Sequence, residues 1–327
     1  MTASPSTLAL ATRGLRKRYG ARVALDGLDL SVPTGVVYGF LGPNGAGKTT
    51  TMRLLTGLLH PDAGSIELLG RPFARGDRRR LFEVGALIES PSFYPYLSGR
   101  SNLRELAATG GPVPRTRVDE LLELVGLRDR AKDKVSGYSL GMKQRLGIAA
   151  ALLSDPTLLL LDEPANGLDP AGIVAMRETL RHLASTGKTV FVSSHLLGEV
   201  QVLADVVGII ASGRLVREGS LETLLASEAV VRVRVPRADS EAAIAAVTPI
   251  GPAAAMPPAG NEPVGAEVWL RVQATPDRAS EVNRALAGAG IFASAVESGS
   301  DLENLFLELT GGEPLPGSEG TFQGIRP

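Results

Sequence analysis

Eight consecutive residues, Gly42-Pro43-Asn44-Gly45-Ala46-Gly47-Lys48-Thr49, carry the strongest chemical signal in the chain. They fit the pattern G-x-x-x-x-G-K-[ST] without a mismatch. Glycines at these spacings let backbone N–H groups curl round a polyphosphate. The lysine of the pattern reaches the β- and γ-phosphates, and the hydroxyl after it ligates Mg²⁺. A second signal is Thr157-Leu158-Leu159-Leu160-Leu161-Asp162-Glu163-Pro164, four leucines ending in two acids. A buried strand would carry both carboxylates out at its C-terminal edge, where ligands of open α/β sheets bind. Asp162 is expected to hold the metal and Glu163 to polarise an attacking water. The set suits phosphoryl transfer to water, which needs positioning and charge neutralisation more than covalent catalysis.

These residues need rigid supports. Val36 to Leu41 is a short apolar run that reads as a buried strand, and Thr50 to Leu55 reads as a helix start. Strand, glycine loop and helix in that order are the context the motif requires, with the positive end of the helix dipole facing the phosphates. Val190 to Ser194 reads as another buried strand, leading to His195. Val118, Leu121, Leu122 and Val125 have the spacing of a helix face. From Leu8 to about Gly219, strand-like runs alternate with helical periods. The expectation is α/β architecture with a largely parallel sheet.

Composition shifts near Ser220. Ala229 to Val235 alternates Val with Arg, residues 239–247 look helical, and Thr248 to Gly265 reads as a Pro-, Gly- and Ala-rich loop. Strands are expected over 268–272 and 291–296, with a helix over 278–287 between them. Ser300 is placed to cap a last helix to Leu309, with Glu303 completing a capping box. The expected division is a disordered tail over 1–7, an α/β domain over 8–220, a small α+β accessory domain over 221–310 and a flexible tail over 311–327.

The 327 residues carry a formal net charge of −1, which makes no global case for nucleic-acid binding. With no cysteine, disulfides and thiolate metal sites are excluded, and His60, His182 and His195 are too scattered to suggest zinc. No run approaches the ~20 apolar residues of a membrane span. The N-terminus does not read as a signal peptide. The chain reads as soluble and intracellular, so a membrane role would need a partner.

Taken in order, the motifs resemble those of ATP-binding cassette (ABC) ATPases over roughly residues 8–220, a helical subdomain falling at about 90–155. The resemblance implies ATP and Mg²⁺ as ligands and assigns further residues. Tyr19 falls where the family places an aromatic that stacks on adenine. Ser136-Gly137-Tyr138-Ser139-Leu140-Gly141-Met142-Lys143-Gln144 looks like the signature loop and helix start. There Ser139 and Gly141 would bind the γ-phosphate held by a second subunit. Asn166-Gly167-Leu168-Asp169 matches the dimer-contact loop, and His195 the switch histidine. Glu163, His195 and Lys48 are thus the expected catalytic set. Nucleotide contacts are expected from Tyr19, Gly42 to Lys48, Thr49, Thr50, Glu89, Ser139, Gly141 and Asp169. Thr49, Asp162 and Glu89 are expected around the metal.

Two departures stand out. Glu89 occupies a position where the family usually has Gln; an ionised Glu accepts hydrogen bonds but cannot donate them. The signature reads Tyr138-Ser139-Leu140-Gly141-Met142 instead of the usual Leu-Ser-Gly-Gly-Gln, which leads us to expect an altered hydrolysis cycle. With Ile88 to Pro95, these departures are similar to a subgroup of bacterial exporter ATPases that includes bacitracin- and lantibiotic-resistance transporters. The resemblance implies a head-to-tail homodimer sandwiching ATP. It also implies a separate multi-span permease docking near Phe93, Tyr94 and Tyr96, and a cytoplasmic chain held at the inner face of the membrane. No nucleic-acid partner is expected. Two other readings are a soluble ABC ATPase of translation or DNA repair and a regulatory nucleotide-binding module without turnover. The first is disfavoured because a single cassette without coiled coils, zinc modules or basic excess is unlike those proteins.

Overall fold

A computed structural model describes residues 8–300 except 75, 90, 111–112, 115, 228 and 257–264. The expected tails and the helix expected beyond Ser300 lie outside the described residues. The chain divides into two compact units that meet in sequence at Ser220 and Leu221.

The first unit opens with two long strands, β1 (Leu8–Tyr19) and β2 (Arg22–Pro33), joined by the two residues Gly20 and Ala21. β3 (Val37–Leu41) leads through the glycine loop into α1 (Lys48–Leu55). Strands β4 (Ala63–Leu68), β5 (Arg71–Pro72) and β6 (Val84–Leu87) follow. Three helices come next: α2 (Gly99–Gly110), α3 (Arg117–Leu124) and α4 (Leu140–Ala151). The unit closes with β7 (Leu158–Asp162), α5 (Pro170–Ser185), β8 (Thr189–Ser194), α6 (Leu197–Leu203), β9 (Val206–Ala211) and β10 (Arg214–Ser220).

The main sheet has the order β10-β9-β3-β8-β7-β6. Its strands run parallel except β10, which is antiparallel to β9. Because side chains alternate across a strand, one leucine run serves two cores. Leu158 and Leu160 of β7 join Tyr38, Phe40, Phe191 and Met52 on one face. Leu159 and Leu161 join Val190, Val192 and the apolar faces of α3 and α4 on the other. A parallel strand buried on both faces reads as a continuous apolar run for this reason. The alternating elements anticipate this sheet but not a second, wholly antiparallel one, β2-β1-β4-β5, whose Leu10, Leu28, Leu30 and Ile66 pack into the first of the two cores.

Tyr38 is fully buried and stacks on Phe191, with ring centroids 5.2 Å apart. Its hydroxyl donates to Glu218 Oε1 at 2.5 Å, and that oxygen also accepts from the Ser31 amide at 3.2 Å. Burial, reinforced by the facing Glu218 carboxylate, raises the Tyr38 phenol well above its ordinary value of 10.0. The unfolded phenol ionises near 10.0 while the folded one stays neutral, so this contribution is complete below that pH and is lost as pH rises above it. Tyr38→Phe should cost about 1.5–3 kcal/mol at neutral pH, the range for a hydrogen bond to a charged group. It should also flatten the alkaline part of the stability curve. Chemical unfolding of both proteins from pH 7 upward checks this.

The second unit contains α7 (Leu221–Ser227), β11 (Ala229–Pro236), α8 (Ser240–Val247), β12 (Ala253–Ala255), β13 (Glu267–Val272), α9 (Ala279–Gly288) and β14 (Ala295–Ser300). Its sheet, β12-β13-β11-β14, is antiparallel, and Val231, Val233, Leu270, Val247 and Leu286 form its core. Two local expectations are corrected. Part of the expected 248–265 loop is β12, an edge strand held by pairing with β13 rather than by the β-propensity of its three alanines. The strand expected at 291–296 is β14, four residues later in its start. Gly290, at φ 77°, ends α9, and the Ile291 amide folds back to donate to Leu286 O at 2.9 Å. The apolarity of Ile291 therefore plugs a helix end instead of marking a strand. Among the described residues, no helix is long and apolar enough to cross a membrane.

Candidate active site

The glycine loop is shaped from behind by crowding. A Cβ on Gly42 would stand 2.4 Å from Ile210 O, and one on Gly47 would stand 2.7 Å from Leu25 Cδ2 and 2.8 Å from Ala24 O. Gly47 also takes φ 117°, a conformation in which L side chains are strained. Glycine is thus required where the loop lies against β2 and β9, and the loop's other surface is open, with Asn44 and Gly45 exposed. Lys48 begins α1, whose first amides have no intrahelical acceptor and face the loop. Thr50 lies in the same first turn, partly buried.

Lys48 is nearly buried. Its Nζ donates to Gly42 O at 2.7 Å and Pro43 O at 3.3 Å, and lies 3.3 Å from Glu163 Oε1. The other oxygen of that carboxylate is 2.7 Å from His195 Nδ1. Glu163 is therefore held between a cation from the loop and an imidazole from the end of β8. Thr49 Oγ donates to Asp162 Oδ2 at 2.7 Å. This hydroxyl and carboxylate form an adjacent pair of hard oxygen donors, the kind that suits Mg²⁺.

Strand order brings these groups together. β3 and β7 both pair with β8, so the glycine loop, the two acids and His195 leave the sheet at one edge. Glu163 sits there with φ 48°, the left-handed region, which costs a non-glycine residue about 1 kcal/mol or more. The strain is compensated at its amide, which donates to both the carbonyl (3.2 Å) and the hydroxyl (3.0 Å) of Ser193.

Tyr19 ends β1, exposed, in the hairpin whose Arg22 approaches Gly45, with a guanidinium nitrogen 3.3 Å from where a Gly45 Cβ would stand. Ser139 is the N-cap of α4, and its hydroxyl accepts from the Met142 amide at 3.2 Å. Asp169 caps α5 in the same way, accepting from the Gly172 amide at 2.9 Å. The two loops touch. Leu140 packs over Gly167, where an added Cβ would stand 2.1 Å from Leu140 Cδ2, and Gly141 faces Leu168. Leu140 in the signature thus depends on glycine at 167. Among the described residues, no hydrogen bond or ion pair joins Ser139 or Gly141 to Lys48, Asp162, Glu163 or His195. Glu89, at φ 63°, is exposed and ion-paired with Arg53 of α1.

Sequence reading passes over Ser193 and Glu199. The Ser193 hydroxyl sits between the two acids. Glu199, on α6, faces Ser194, Glu163, His195 and Arg177. Burial pushes its carboxyl up, Arg177 opposes the shift and Glu163 adds to it. The only local clue is that both lie close to His195 in sequence.

A glycine loop between a parallel strand and a helix, with paired acids ending a nearby strand, defines a phosphate-loop nucleoside triphosphatase. Known proteins narrow the class. The ABC transporter family model matches residues 25–166. The bacitracin transport ATP-binding protein BcrA of Bacillus licheniformis is 49% identical over 208 residues, 63% of this chain and 68% of that protein. The lantibiotic transport ATP-binding protein SrtF of Streptococcus pyogenes is 44% identical over 209 residues, 64% of this chain and 90% of that protein. A solved ATP-binding subunit of an ABC transporter, 31% identical, superposes with a TM-score of 0.60, covering 67% of this chain and 92% of that one. The chain belongs to the ABC transporter ATP-binding family, and it is an ATP hydrolase.

Proposed function

We propose that this ATPase powers a bacterial exporter of antibiotics, peptides or other drugs, working as a head-to-tail homodimer on a separate membrane permease. The observation that carries the reading is the division of the site. Lys48, Thr49, Asp162, Glu163 and His195 converge at one sheet edge, whereas Ser139 and Gly141 lie at the start of α4 without a bond to them. A second copy supplying Ser139 and Gly141 would complete the phosphate shell, and ATP would then favour the closed pair because it contacts both copies only there. The cargo class follows the names of the bacitracin and lantibiotic relatives.

In this reading the loop amides, the α1 N-terminus and Lys48 bind the phosphates, and Tyr19 packs on the base. Glu163 accepts a proton from the attacking water, and His195 orients Glu163 and meets the γ-phosphate. Mg²⁺ would be held by Thr49 and Asp162 and would supply charge neutralisation to the phosphate oxygens. Among the described residues no three His, Asp or Glu side chains are grouped to hold a metal. Mg²⁺ does not need such a cage, since phosphate and water usually complete its shell. Glu89, paired with Arg53, would reach the metal only after breaking that ion pair.

The permease contact we assign to the loop before α2. Tyr94 and Tyr96 are exposed, with ring centroids 5.8 Å apart, while Phe93 packs into the helical core. Buried Asn102 holds the loop, its side chain accepting from the Tyr94 amide at 2.8 Å and donating to Tyr94 O at 3.1 Å and Ser98 O at 3.0 Å. Beside it runs a cleft of about 390 Å³ lined by Phe82, Leu87, Phe93 and Leu106. Rigid exposed aromatics beside an apolar cleft suit docking. The chain would thus be peripheral on the inner face of the membrane.

The test is a mild-detergent pull-down of the tagged chain from its native membranes, with mass spectrometry. A near-stoichiometric multi-span protein is expected. Recovery with ribosomes or nucleic acid, or alone in the soluble fraction, would refute the exporter reading. Tyr94→Ala/Tyr96→Ala should reduce permease recovery at least tenfold, as loss of central aromatics does at other interfaces. ATP affinity of the isolated chain should not change.

A further inference from the structure

Ser193 lies in β8, next to the strand that bears the two acids, and is fully buried. Its hydroxyl has one proton and two lone pairs, and both capacities are used on those acids. Ser193 Oγ donates to Asp162 Oδ1 at 2.5 Å and accepts from the Glu163 amide at 3.0 Å. The other Asp162 oxygen, Oδ2, takes the Thr49 hydroxyl at 2.7 Å. Two donors on two different oxygens fix the plane of the Asp162 carboxylate, one from the sheet and one from α1. At Glu163 the same serine anchors a backbone bent to φ 48°. That bend sets the direction in which the Glu163 side chain leaves the strand, toward Lys48 and His195.

We propose that Ser193 is a positioning residue for ATP hydrolysis, its single hydroxyl locking Asp162 and Glu163 in register with each other. The proposal rests on the roles given above to those two acids. Ser193 acts through them, as an outer partner acts through the ligand it orients. Without the hydroxyl, Asp162 keeps the Thr49 bond but loses the second donor that fixes its plane, and Glu163 keeps only the Ser193 carbonyl to hold its bend. The glycine loop is untouched, so the phosphate-binding surface should remain.

The test compares the full-length chain with Ser193→Ala, Ser193→Thr and Glu163→Gln. ATP affinity is measured in EDTA with a fluorescent ATP analogue, and turnover is expressed per analogue-binding site, so misfolded molecules do not count. Ser193→Ala should keep EDTA affinity within about twofold of wild type, while turnover per site falls roughly tenfold or more and the Mg²⁺ concentration for half-maximal turnover rises several-fold. Ser193→Thr, which keeps the hydroxyl, should recover most of both losses. Should alanine fail to fold, Ser193→Cys repeats the test with nearly equal volume and a weak donor, and the same two changes are expected.

A purely structural serine would lower the melting temperature without moving the Mg²⁺ requirement. An unchanged Mg²⁺ requirement and turnover in Ser193→Ala, or equal losses in Ser193→Ala and Ser193→Thr, would overturn the proposal. Glu163→Gln separates the levels. If it abolishes turnover while Ser193→Ala behaves as wild type, the Ser193 proposal alone fails. If Glu163→Gln turns over normally, the role of the acid falls first.

Discussion

Glu163→Gln is expected to lower ATP turnover by roughly 10²–10⁴-fold, the range for removal of a positioned general base. Nucleotide affinity should stay within about threefold of wild type, because the substitution changes neither loop nor helix. The geometry gives the reason for both halves. Each carboxylate oxygen has its own donor, Lys48 Nζ at 3.3 Å on Oε1 and His195 Nδ1 at 2.7 Å on Oε2. Glutamine is nearly isosteric but has only one acceptor, so its NH₂ must face one of those donors and it cannot take a proton from water. Phosphate release measured beside fluorescent-nucleotide binding checks the two together. Turnover near the wild-type rate would remove Glu163 from the chemistry and with it the reading of this sheet edge as the catalytic one.

Lys48→Ala should have an effect of similar size on binding. The ammonium is buried and makes three contacts, with Gly42 O, Pro43 O and Glu163. Removing a buried, hydrogen-bonded charge that meets a charged ligand typically costs about 2–5 kcal/mol, which is a loss of affinity of about 30-fold to several thousand-fold. Lys48→Arg should not rescue it, since a wide planar fork cannot replace a compact ammonium in this nearly buried position. A thermal shift reads the outcome directly. A protein at 100 times its Kd for ATP gains about 2.7 kcal/mol of stability, and the variant at the same ATP concentration should gain almost none. An equal shift in both proteins would mean that the phosphates are bound elsewhere.

The legible part of this protein is the part carried by contiguous residues. Gly42 to Thr49 is both a pattern and a conformation: the φ of 117° at Gly47 and the close approach of Ala24 O each exclude a side chain. The leucines before Asp162 announce a strand covered on both faces, and both cores receive them. In contrast, Glu89 and Leu140 could be noticed only as departures. Their surroundings, Arg53 for Glu89 and Gly167 for Leu140, come from distant segments. The antiparallel sheet is not legible in the sequence because β1 and β2 are long, bulged strands whose apolar positions do not keep a clean alternation. The expected strand at Ile291 misled because an apolar residue after a helix-ending glycine can serve the helix as well as a strand.

Residue types and their order announce the chemical groups available: a glycine loop of phosphate-binding pattern, two acids at a strand end, a histidine after another strand, and the elements that bear them. Those are local properties, set by backbone freedom, side-chain type and the periods of strand and helix. The place of β8 between β3 and β7 emerges only when the chain folds, and it puts the Ser193 hydroxyl on the Asp162 carboxylate and the Glu163 amide, and His195 on the Glu163 carboxylate. Strand order follows from how the whole set of apolar faces is covered, and no short segment encodes it.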